Sequence, residues 1–452
     1  MIDLNLQVKK TIYLAGIGGV SMSSLALTLI HIGHNVRGYD RTENEYIKVL
    51  RDKGVKIYIG NGSEGIEGSD IVIRTVAVKL DAPEMIKAKA LGIPIYTRAE
   101  AWGLIMSEYR CRVCISGTHG KSSTTGFCTH IALKAKLDPF VMIGANLPEI
   151  GGSLRLSEER EMFIAEACEY YNSFLSFRPT VAVINSIDMD HPDFFRDLED
   201  VKSSFRRFAG MILPGGAVVA NFDNKNTRDT LEGIDTLWFG VHGGDITAKD
   251  ITYVRGFPEF SLVILGKDCG RVKLRVPGEH NLYNALAAAA AMYAAGISAG
   301  DITAGLEDYR GIRRRFEIKG EVNDALVAED YAHHPSELEA IIKTVSGMDF
   351  EKVIAVFQPH TFSRTRELYD DFVRVLIMCD KPVILPTFAA RETDRRGIDE
   401  HTLANEVAGV YLDTFERAEE YIRMNAKEGD LVLILGAGDV EKLSNMLTKK
   451  PY

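Results

Sequence analysis

Hydrophobic residues along this chain occur mainly as short runs of four or five, and helix-like stretches separate the runs. Short apolar runs are typical of strands that are buried on both faces of a parallel sheet. Helices are predicted from residue 20, over residues 99–110 and over the alanine-rich residues 284–295. The pattern indicates an α/β protein. The predicted strands are residues 11–15, 35–39, 71–74, 93–96, 113–116, 162–165, 181–184, 217–220, 353–357, 382–385 and 431–435.

The predicted elements fall into three groups along the chain. A chain of 452 residues is too long for one ordinary hydrophobic core, so several domains are expected. We place the boundaries near residues 107 and 313, which gives predicted domains at residues 1–106, 107–312 and 313–452. The three regions share an α/β style, but no repeat of solenoid length is evident.

The composition argues against several classes of protein. Acidic residues outnumber basic ones by 63 to 53, and the net charge of -10 disfavours binding to nucleic acid. No run of about 18 apolar residues is present, and the first residues lack a signal-peptide pattern, so we expect no transmembrane segment and a cytoplasmic location. Six scattered cysteines indicate reduced thiols rather than a disulfide framework. Cys111 and Cys114 have C-x-x-C spacing but no second pair, so packing on a strand explains them better than zinc.

The most informative segment is GTHGKSSTT at residues 117–125, between a predicted strand and a helix-like stretch. In a phosphate-binding loop, glycines let backbone N–H groups surround phosphate oxygens, and the helix N-terminus adds its positive dipole end. The segment is a variant of G-x-x-x-x-G-K-[ST], because Ile115 replaces the first glycine. It indicates use of a nucleoside triphosphate, and the alternative is a simple glycine turn. The candidate binding residues are Gly117, Thr118, His119, Gly120, Lys121, Ser122 and Ser123.

Polar residues follow two predicted strands of the middle region. Glu166 ends one strand, and Asp190 and His191 follow another. Ligands gather at the carboxyl ends of strands in open parallel sheets, so these side chains are expected to converge with the loop. Oxygen ligands from Ser122 and Glu166 suit Mg²⁺, and one imidazole from His191 is compatible with it. The alternative is that the acids are solvated loop residues.

The first glycine turn, residues 16–21, resembles a dinucleotide-binding fingerprint in which Ser21 replaces the third glycine. Asp40, near the end of the next strand, has a position from which it could meet a ribose. A nucleotide or diphosphate at this helix N-terminus is a reasonable expectation. A tight structural turn and a nicotinamide site remain alternatives. The candidate residues are Gly16, Gly18, Gly19 and Asp40.

Taken together, these and other motifs resemble the Mur ligase family over nearly the whole chain. The resembling segments are residues 16–19, 22–23, 117–125, 166–170, 190–191, 278–281, 314–316, 330–335 and 357–360. The last two of these segments are characteristic of family members that add L-alanine and of their nearest relatives.

The resemblance implies three domains: a Rossmann-like N-terminal domain that holds a UDP-sugar, a central P-loop ATPase-like domain with a mostly parallel sheet that holds ATP and Mg²⁺, and a Rossmann-like C-terminal domain that brings the amino acid. It also implies ATP-dependent ligation of L-alanine to the lactyl carboxylate of UDP-N-acetylmuramate in peptidoglycan precursor synthesis. An acyl phosphate would form first, and ADP and phosphate would be released. Such chemistry requires charge neutralisation more than a protein nucleophile.

The resemblance also implies roles for individual residues. Lys121 would contact the β- and γ-phosphates, and His191 would hold a metal that bridges acyl phosphate and ATP. Either Arg314 or Arg315 would reach the nucleotide phosphates, and the residues leave that choice open. The residues expected near adenine are His280, Asn281 and Asn284, and those expected around the amino acid or the reacting carboxylate are Tyr331, His333, His360 and Arg364.

Local structure offers alternatives for some of these residues. A polar helix start also explains His280 and Asn281, and a capped helix start before Pro335 also explains His333 and His334. Lys202 is near the expected metals but is not assigned to them.

Other functions fit parts of the sequence. The nearest is a related ligase that attaches a recycled murein peptide to the same acceptor, and more distant ones are a nicotinamide-dependent oxidoreductase and a non-catalytic sugar-nucleotide sensor. We expect a monomer or homodimer whose third domain closes over the site.

Overall fold

A computed structural model describes residues 8–254, 256–390, 392–393, 395, 397 and 399–448 of the chain. The expected α/β class is confirmed, because three separate sheets are present and helices pack against them. Residues 1–7 and 449–452, which form the outer limits of the first and last predicted domains, lie outside the described residues. The predicted domain boundaries themselves stay a prediction.

The N-terminal sheet has five parallel strands in the order β3-β2-β1-β4-β5. Alternate residues of β1 face opposite layers, so that Leu14 and Tyr13 belong to different hydrophobic clusters and both faces of the sheet are buried. The elements are β1 (Thr11–Ala15), α1 (Val20–His31), β2 (Asn35–Asp40), α2 (Glu45–Asp52), β3 (Lys56–Ile59), β4 (Ile71–Arg74), α3 (Pro83–Ala90), β5 (Ile95–Thr97) and α4 (Arg98–Ser107).

Helix α4 joins the N-terminal and central sheets. It begins with a capping box in which Thr97 and Glu100 bond each other's backbone N–H groups. The buried Trp102 packs edge-on against Phe140 and Phe163 of the central sheet, at centroid distances of 6.1 and 6.4 Å. Side chains from both sheets therefore share one hydrophobic cluster.

The central sheet has ten strands in the order β15-β14-β13-β12-β11-β10-β6-β9-β7-β8. The strands from β13 to β7 run parallel, and antiparallel pairings add β14 and β15 at one edge and β8 at the other. The elements are β6 (Cys111–Ser116), α5 (Lys121–Lys134), β7 (Phe140–Leu147), β8 (Gly152–Arg155), β9 (Met162–Glu166), β10 (Val181–Ile184), α6 (Leu198–Ala209), β11 (Ala217–Asn221), α7 (Lys225–Leu231), β12 (Thr236–Gly240), β13 (Ile246–Val254), β14 (Phe257–Ile264), β15 (Lys267–Lys273), α8 (Glu279–Ala294) and α9 (Ala299–Asp308), with 3-10 turns at Pro148–Ile150 and Tyr170–Ser176.

The C-terminal sheet has six strands in the order β16-β17-β21-β18-β19-β20, and only β16 is antiparallel to its neighbour. Within the described part of the chain, no helix combines the length and apolar character that a membrane span requires. The elements are β16 (Glu317–Val322), β17 (Ala325–Asp330), α10 (Pro335–Ser346), β18 (Val353–Phe357), α11 (Phe362–Glu367), α12 (Tyr369–Leu376), β19 (Val383–Ile384), α13 (Glu400–Glu406), β20 (Val410–Tyr411), α14 (Phe415–Asn425), β21 (Leu431–Leu435) and α15 (Glu441–Thr448).

Every run that predicts a strand coincides at least in part with one of these strands. Two are shorter than predicted: the predicted 93–96 strand is Ile95–Thr97, and the predicted 382–385 strand is only Val383–Ile384. The alanine-rich helix begins earlier than predicted, at Glu279, directly after Gly278. All six cysteines are unpaired, and Cys111 and Cys114 lie on β6 as expected.

Replacing Gly103 by alanine should weaken the packing of α4 between the N-terminal and central sheets. A Cβ atom at this position would lie 2.2 Å from the carbonyl oxygen of Ser176, which belongs to the central domain. We expect a loss of about 1–3 kcal/mol in stability, measured by calorimetry as a lower melting temperature. The matched control is Gly300→Ala in α9, where the new methyl group would make only an ordinary contact with Ser298 Oγ at 3.9 Å and should be neutral or stabilising. An unchanged melting temperature for Gly103→Ala would contradict this account.

Candidate active site

The phosphate-loop candidate lies in the middle of the central sheet, between the end of β6 and the start of α5. Gly117 and Gly120 have φ values of +131° and +78°, which residues other than glycine rarely adopt. A Cβ atom on Gly120 would also lie 2.3 Å from the Oδ1 atom of Asn284. Both conformation and space therefore require glycine here, and the loop keeps the backbone N–H groups at the helix N-terminus accessible to an anion.

Lys121 bends back over this loop. Its Nζ atom donates to the carbonyl oxygen of Gly117 at 2.6 Å and lies 3.1 Å from both carboxylate oxygens of Glu169. Burial alone would lower the pKa of Lys121, but Glu169 and the neighbouring Cys168 and Glu166 outweigh it and raise the pKa. The ammonium group is therefore a permanent positive charge beside the loop.

Two neighbouring groups of side chains near Lys121 suit a divalent cation. In the first, Glu166 accepts hydrogen bonds from the Ser122 hydroxyl at 2.7 Å and from the Gly144 backbone N–H at 2.8 Å. A Cβ atom on Gly144 would lie 2.9 Å from the Glu166 carboxylate, so glycine allows this close approach. The pairing brings together two of the three predicted metal ligands.

The third predicted ligand, His191, belongs to the second group. Ligand atoms of Glu169, Asp190 and His191 all lie within 4.8 Å of one another. His191 has a φ of +52°, and its ring stacks on Tyr170 at a centroid distance of 4.4 Å. Neither Glu169 nor Asp190 is assigned to the metal from the sequence, although Glu169 follows Glu166 by three residues and Asp190 directly precedes His191.

Asp190 stays ionised in this environment and reaches across to the C-terminal domain. Burial would raise the pKa of its carboxyl group, but His191 and Arg364 outweigh that effect and lower the pKa to about 2. Its Oδ1 atom lies 3.5 Å from the Nη2 atom of Arg364. The contact joins the metal-site candidate to the expected amino-acid site.

A cavity of about 270 Å³ opens beside the phosphate loop and fits a nucleobase. On its wall, the Asn284 side-chain amide donates a hydrogen bond to Asn281 Oδ1. Burial lowers the pKa of His280 to about 4, so this ring is neutral. The Nδ1 atom of His280 is buried and has no partner among the described residues. Apolar walls come from Phe239 and Ile341. Flat apolar walls with a few polar groups are the usual composition of such a pocket.

The two adjacent arginines face different surroundings. Arg314 lies 2.7 Å from the buried Glu329 and donates to the carbonyl oxygen of Gly436, so it is held inside the C-terminal domain. Both arginines border the cleft between the central and C-terminal domains, but only Arg315 of the two also lines the nucleobase-sized cavity, and its Nη1 atom lies 3.6 Å from Glu337. These contacts favour Arg315 over Arg314 as the arginine that meets phosphate.

Two of the residues expected around the amino acid, Tyr331 and His333, border a cleft of about 590 Å³ between the central and C-terminal domains, whereas His360 and Arg364 lie beside it, and Arg364 reaches Asp190 on its wall. Tyr331 and His333 follow β17, and His360 and Arg364 follow β18. The Nη1 atom of Arg364 lies 3.3 Å from His360 Nδ1, and the buried Nε atom of Arg364 has no hydrogen-bond partner among the described residues. Burial, together with His333 and Arg364, lowers the pKa of His360 to about 4.

The C-terminal domain also touches the phosphate loop directly. The Nε2 atom of His119 lies 3.0 Å from the Ser336 hydroxyl, and its Nδ1 atom lies 3.8 Å from Glu337. His334 caps α10 by accepting from the Ser336 N–H, as the capping alternative predicts. Glu337 was missed from the sequence, because a glutamate in the first turn of a helix has an ordinary explanation there.

The N-terminal glycine turn is held by its own polar contacts. The N–H groups of Gly16 and Ile17 donate to the carbonyl oxygen of Tyr39, and Gly18 N–H donates to the Asp40 carboxylate at 2.7 Å. Asp40 therefore has a structural partner, and its contact with a ribose stays a prediction. Gly19 occupies the N-cap position of α1 but has no side chain that could accept a hydrogen bond, so it leaves the first backbone N–H groups of that helix without a side-chain partner.

Comparison with known families gives matches along most of the chain. Residues 11–110 match the model described as Mur ligase family, catalytic domain. Residues 115–292 match the Mur ligase middle domain, and residues 314–438 match the Mur ligase, glutamate ligase domain.

Curated relatives match over nearly their full length. UDP-N-acetylmuramate–L-alanine ligase of Acetivibrio thermocellus is 42% identical, with 97% of this chain and 96% of the relative covered. The protein of the same name from Caldicellulosiruptor saccharolyticus is 41% identical, with 97% and 98% covered.

Solved structures share the fold. UDP-N-acetylmuramate-alanine ligase from Thermotoga maritima has a TM-score of 0.80 at 25% identity, with 97% of this chain and 98% of that one covered. A murein peptide ligase from Psychrobacter arcticus has a TM-score of 0.71 at 24% identity, with 97% of this chain and 98% of that one covered, and this likeness concerns the fold alone.

Replacing Glu169 by glutamine should weaken binding of a divalent cation. The change removes one anionic ligand of the Glu169, Asp190 and His191 group and leaves the charge of Lys121 less balanced. We expect about tenfold weaker binding of Mn²⁺, measured by electron paramagnetic resonance. The matched control is Glu161→Gln, just before the opposite end of β9, where the carboxylate pairs with Arg110. Equal Mn²⁺ affinity in both variants would exclude this group as the ion site.

Proposed function

Because the chain belongs to the Mur ligase family, we propose that it joins L-alanine to the lactyl carboxylate of UDP-N-acetylmuramate at the expense of ATP. The observation that carries the proposal is the cleft itself. Its wall brings Lys121 and the acids of the central domain against His333 and His334 of the C-terminal domain, and Arg364 contacts one of those acids, Asp190. The high identity to relatives named for this activity supports the same assignment.

The first step requires two anions to approach each other. The lactyl carboxylate attacks the γ-phosphorus of ATP, the bond to the bridging oxygen breaks, and ADP leaves with that oxygen. Lys121, which is buried and charged, offsets the negative charge at the phosphate loop. Arg315 adds a second positive charge, because it borders both the nucleobase-sized cavity and the cleft.

The donor set fits Mg²⁺. A hydroxyl, carboxylates and one imidazole are compatible with a hard cation whose remaining ligands are phosphates and waters. Bound there, Mg²⁺ would neutralise phosphate charge during transfer. The residues that would hold it are Ser122, Glu166, Glu169, Asp190 and His191.

The second substrate site is built around Arg364. Its side chain is only 14% exposed, and its buried Nε atom has no hydrogen-bond partner among the described residues, so a carboxylate that reaches the guanidinium completes its hydrogen bonds. The α-carboxylate of L-alanine has this chemistry. His360, whose Nδ1 atom faces Arg364, positions the guanidinium.

The UDP-sugar is assigned to the N-terminal glycine turn. The N-terminus of α1 attracts a diphosphate through its dipole. The Arg98 guanidinium donates to the Ser21 hydroxyl at 2.5 Å in the same turn of α1 and adds a positive charge. The expected role in peptidoglycan synthesis, the cytoplasmic location and the monomeric or homodimeric state belong to this proposal.

Phosphate release from ATP tests the function directly. With Mg²⁺ and UDP-N-acetylmuramate present, we expect release that requires L-alanine, because the acyl phosphate needs an amine acceptor to turn over. The assay compares L-alanine, a muramyl-type tripeptide and no acceptor. Release that requires the tripeptide would identify a peptide-recycling ligase instead, and no release with any acceptor would leave the non-catalytic sensor.

The variant Lys121→Ala separates catalysis from binding of the sugar nucleotide. It removes the charge at the phosphate loop, whereas the N-terminal turn is left intact. We expect turnover to fall by about a thousandfold, with the dissociation constant for UDP-N-acetylmuramate unchanged in calorimetric titration. A matched control is Lys134→Ala at the far end of α5, where the side chain pairs with Asp308. Wild-type turnover in Lys121→Ala would rule out the loop as the catalytic phosphate site.

A further inference from the structure

The ring of His333 is fixed in one orientation. Its Nδ1 atom lies 3.0 Å from the carbonyl oxygen of Tyr331, two residues earlier. A carbonyl oxygen only accepts hydrogen bonds, so the proton of the neutral ring is on Nδ1. The Nε2 atom is then an unprotonated acceptor. No described residue makes a hydrogen bond to it, and the residue lines the cleft.

Glu337 supports this ring from one helical turn further along. Its carboxylate accepts from the His333 backbone N–H at 3.2 Å and lies 3.4 Å from Nδ1. The carboxylate is mostly buried, but its contacts with the His333 N–H groups, the Arg315 guanidinium and the His119 ring outweigh the effect of burial and hold the pKa of Glu337 well below its usual range. Glu337 is therefore a fixed negative charge behind a histidine whose other nitrogen is free.

Burial keeps the His333 ring neutral at neutral pH. Burial is the largest effect and lowers its pKa, Arg364 and Arg315 act in the same direction, and Glu337 opposes them. The other titratable side chains facing the ring are His360, at a centroid distance of 5.7 Å, and Tyr331, at 5.3 Å. A neutral imidazole with an acid partner has the form of a general base.

We propose that His333, held by Glu337 and the carbonyl of Tyr331, is the base that deprotonates the ammonium group of the incoming amino acid. The assignment rests on the proposed function. It gives the two residues distinct roles, since His333 exchanges the proton at Nε2 and Glu337 is a positioning residue that stabilises the imidazolium form.

The proton balance of the ligation requires such a base. The amino acid arrives with an ammonium nitrogen and ends as an amide nitrogen, so two protons leave it. Nε2 of His333 takes the first, and the freed lone pair attacks the acyl carbon. The bond from that carbon to the phosphate oxygen breaks, and the departing phosphate takes the electron pair and the second proton.

His360 is less suited to this task. Its Nδ1 atom lies 3.3 Å from Arg364 Nη1, which only donates, so that nitrogen is used as an acceptor. Its ring stacks on Phe388 at a centroid distance of 5.6 Å, and no described carboxylate lies within salt-bridge distance of its ring. His360 lacks the acid partner that His333 has.

The test separates the amine step from formation of the acyl phosphate. Hydroxylamine is already unprotonated at neutral pH and traps acyl phosphates without help from a base. For His333→Gln, we expect the rate of L-alanine ligation to fall by about a hundredfold or more, with hydroxamate formation from UDP-N-acetylmuramate and ATP close to wild type. For His333→Ala, added imidazole should restore part of the ligation. The control is His401→Gln, on an exposed helix of the same domain.

Glu337→Gln provides a second readout. The base is needed in its neutral form, so ligation is lost as pH falls through the pKa of His333, which lies below the ordinary value. The carboxylate raises that pKa, so its removal should move the acidic limb of the pH–rate profile to lower pH and reduce kcat at neutral pH. The matched control is Glu339→Gln on the same helix, whose carboxylate pairs with Lys343 and Arg374.

Two results would overturn the assignment. Equal losses of hydroxamate formation and ligation in His333→Gln would place the residue in phosphoryl transfer or in structure, and an unshifted pH profile in Glu337→Gln would remove the supporting role of the acid. If the wild-type protein forms neither hydroxamate nor amide, the proposed function itself fails.

Discussion

The ion pair between Lys121 and Glu169 is the contact on which the arrangement of the cleft depends. An ammonium group this deeply buried needs an anionic partner, because leaving it unpaired costs several kcal/mol. Lys121 begins α5 after β6, and Glu169 follows β9, so the pair forms because β6 and β9 are parallel neighbours in the sheet. Sheet order therefore sets the distance between the phosphate loop and the acids that surround it.

The same principle applies across the domains. Asp190 of the central domain faces Arg364 of the C-terminal domain, and Glu337 of the C-terminal domain faces His119 of the central domain. In each case an acid of one element offsets a base of another. The proposed substrates carry phosphate or carboxylate groups, so a bound phosphate or carboxylate substitutes for a protein carboxylate and the charge balance is kept.

Much of the fold follows from local sequence, and the parts that do not have a physical reason. Strands such as residues 181–184 and 431–435 are buried on both faces, and uninterrupted apolar runs identify them. Strands β13 to β15 were missed, because exposed polar residues such as Lys249 and Asp250 interrupt the pattern. An edge strand with one exposed face carries a weaker signal.

The residues of the candidate site likewise divide into those that could be predicted from the sequence and those that could not. The phosphate loop could be predicted because one turn fixes the spacing of its residues. Glu169 and Glu337 could not, since their importance comes from burial and from partners that are distant in sequence. Lys121 and Glu169 are separated by 48 positions, and the contact of His119 with the helix of Glu337 spans 217. The choice between Arg314 and Arg315 likewise depended on which one the buried Glu329 holds.

The joint at α4 has a consequence for how the molecule unfolds. One hydrophobic cluster runs from β1 through Trp102 to β10, so the first two sheets lose their packing together. The clusters of the C-terminal sheet contain, among the described residues, none before Phe316. We therefore expect the chain to unfold as two cooperative units rather than three. When the C-terminal unit opens or melts, the N-terminal glycine turn and the phosphate loop stay assembled, whereas the nucleobase-sized cavity loses the walls made by Arg315 and Ile341.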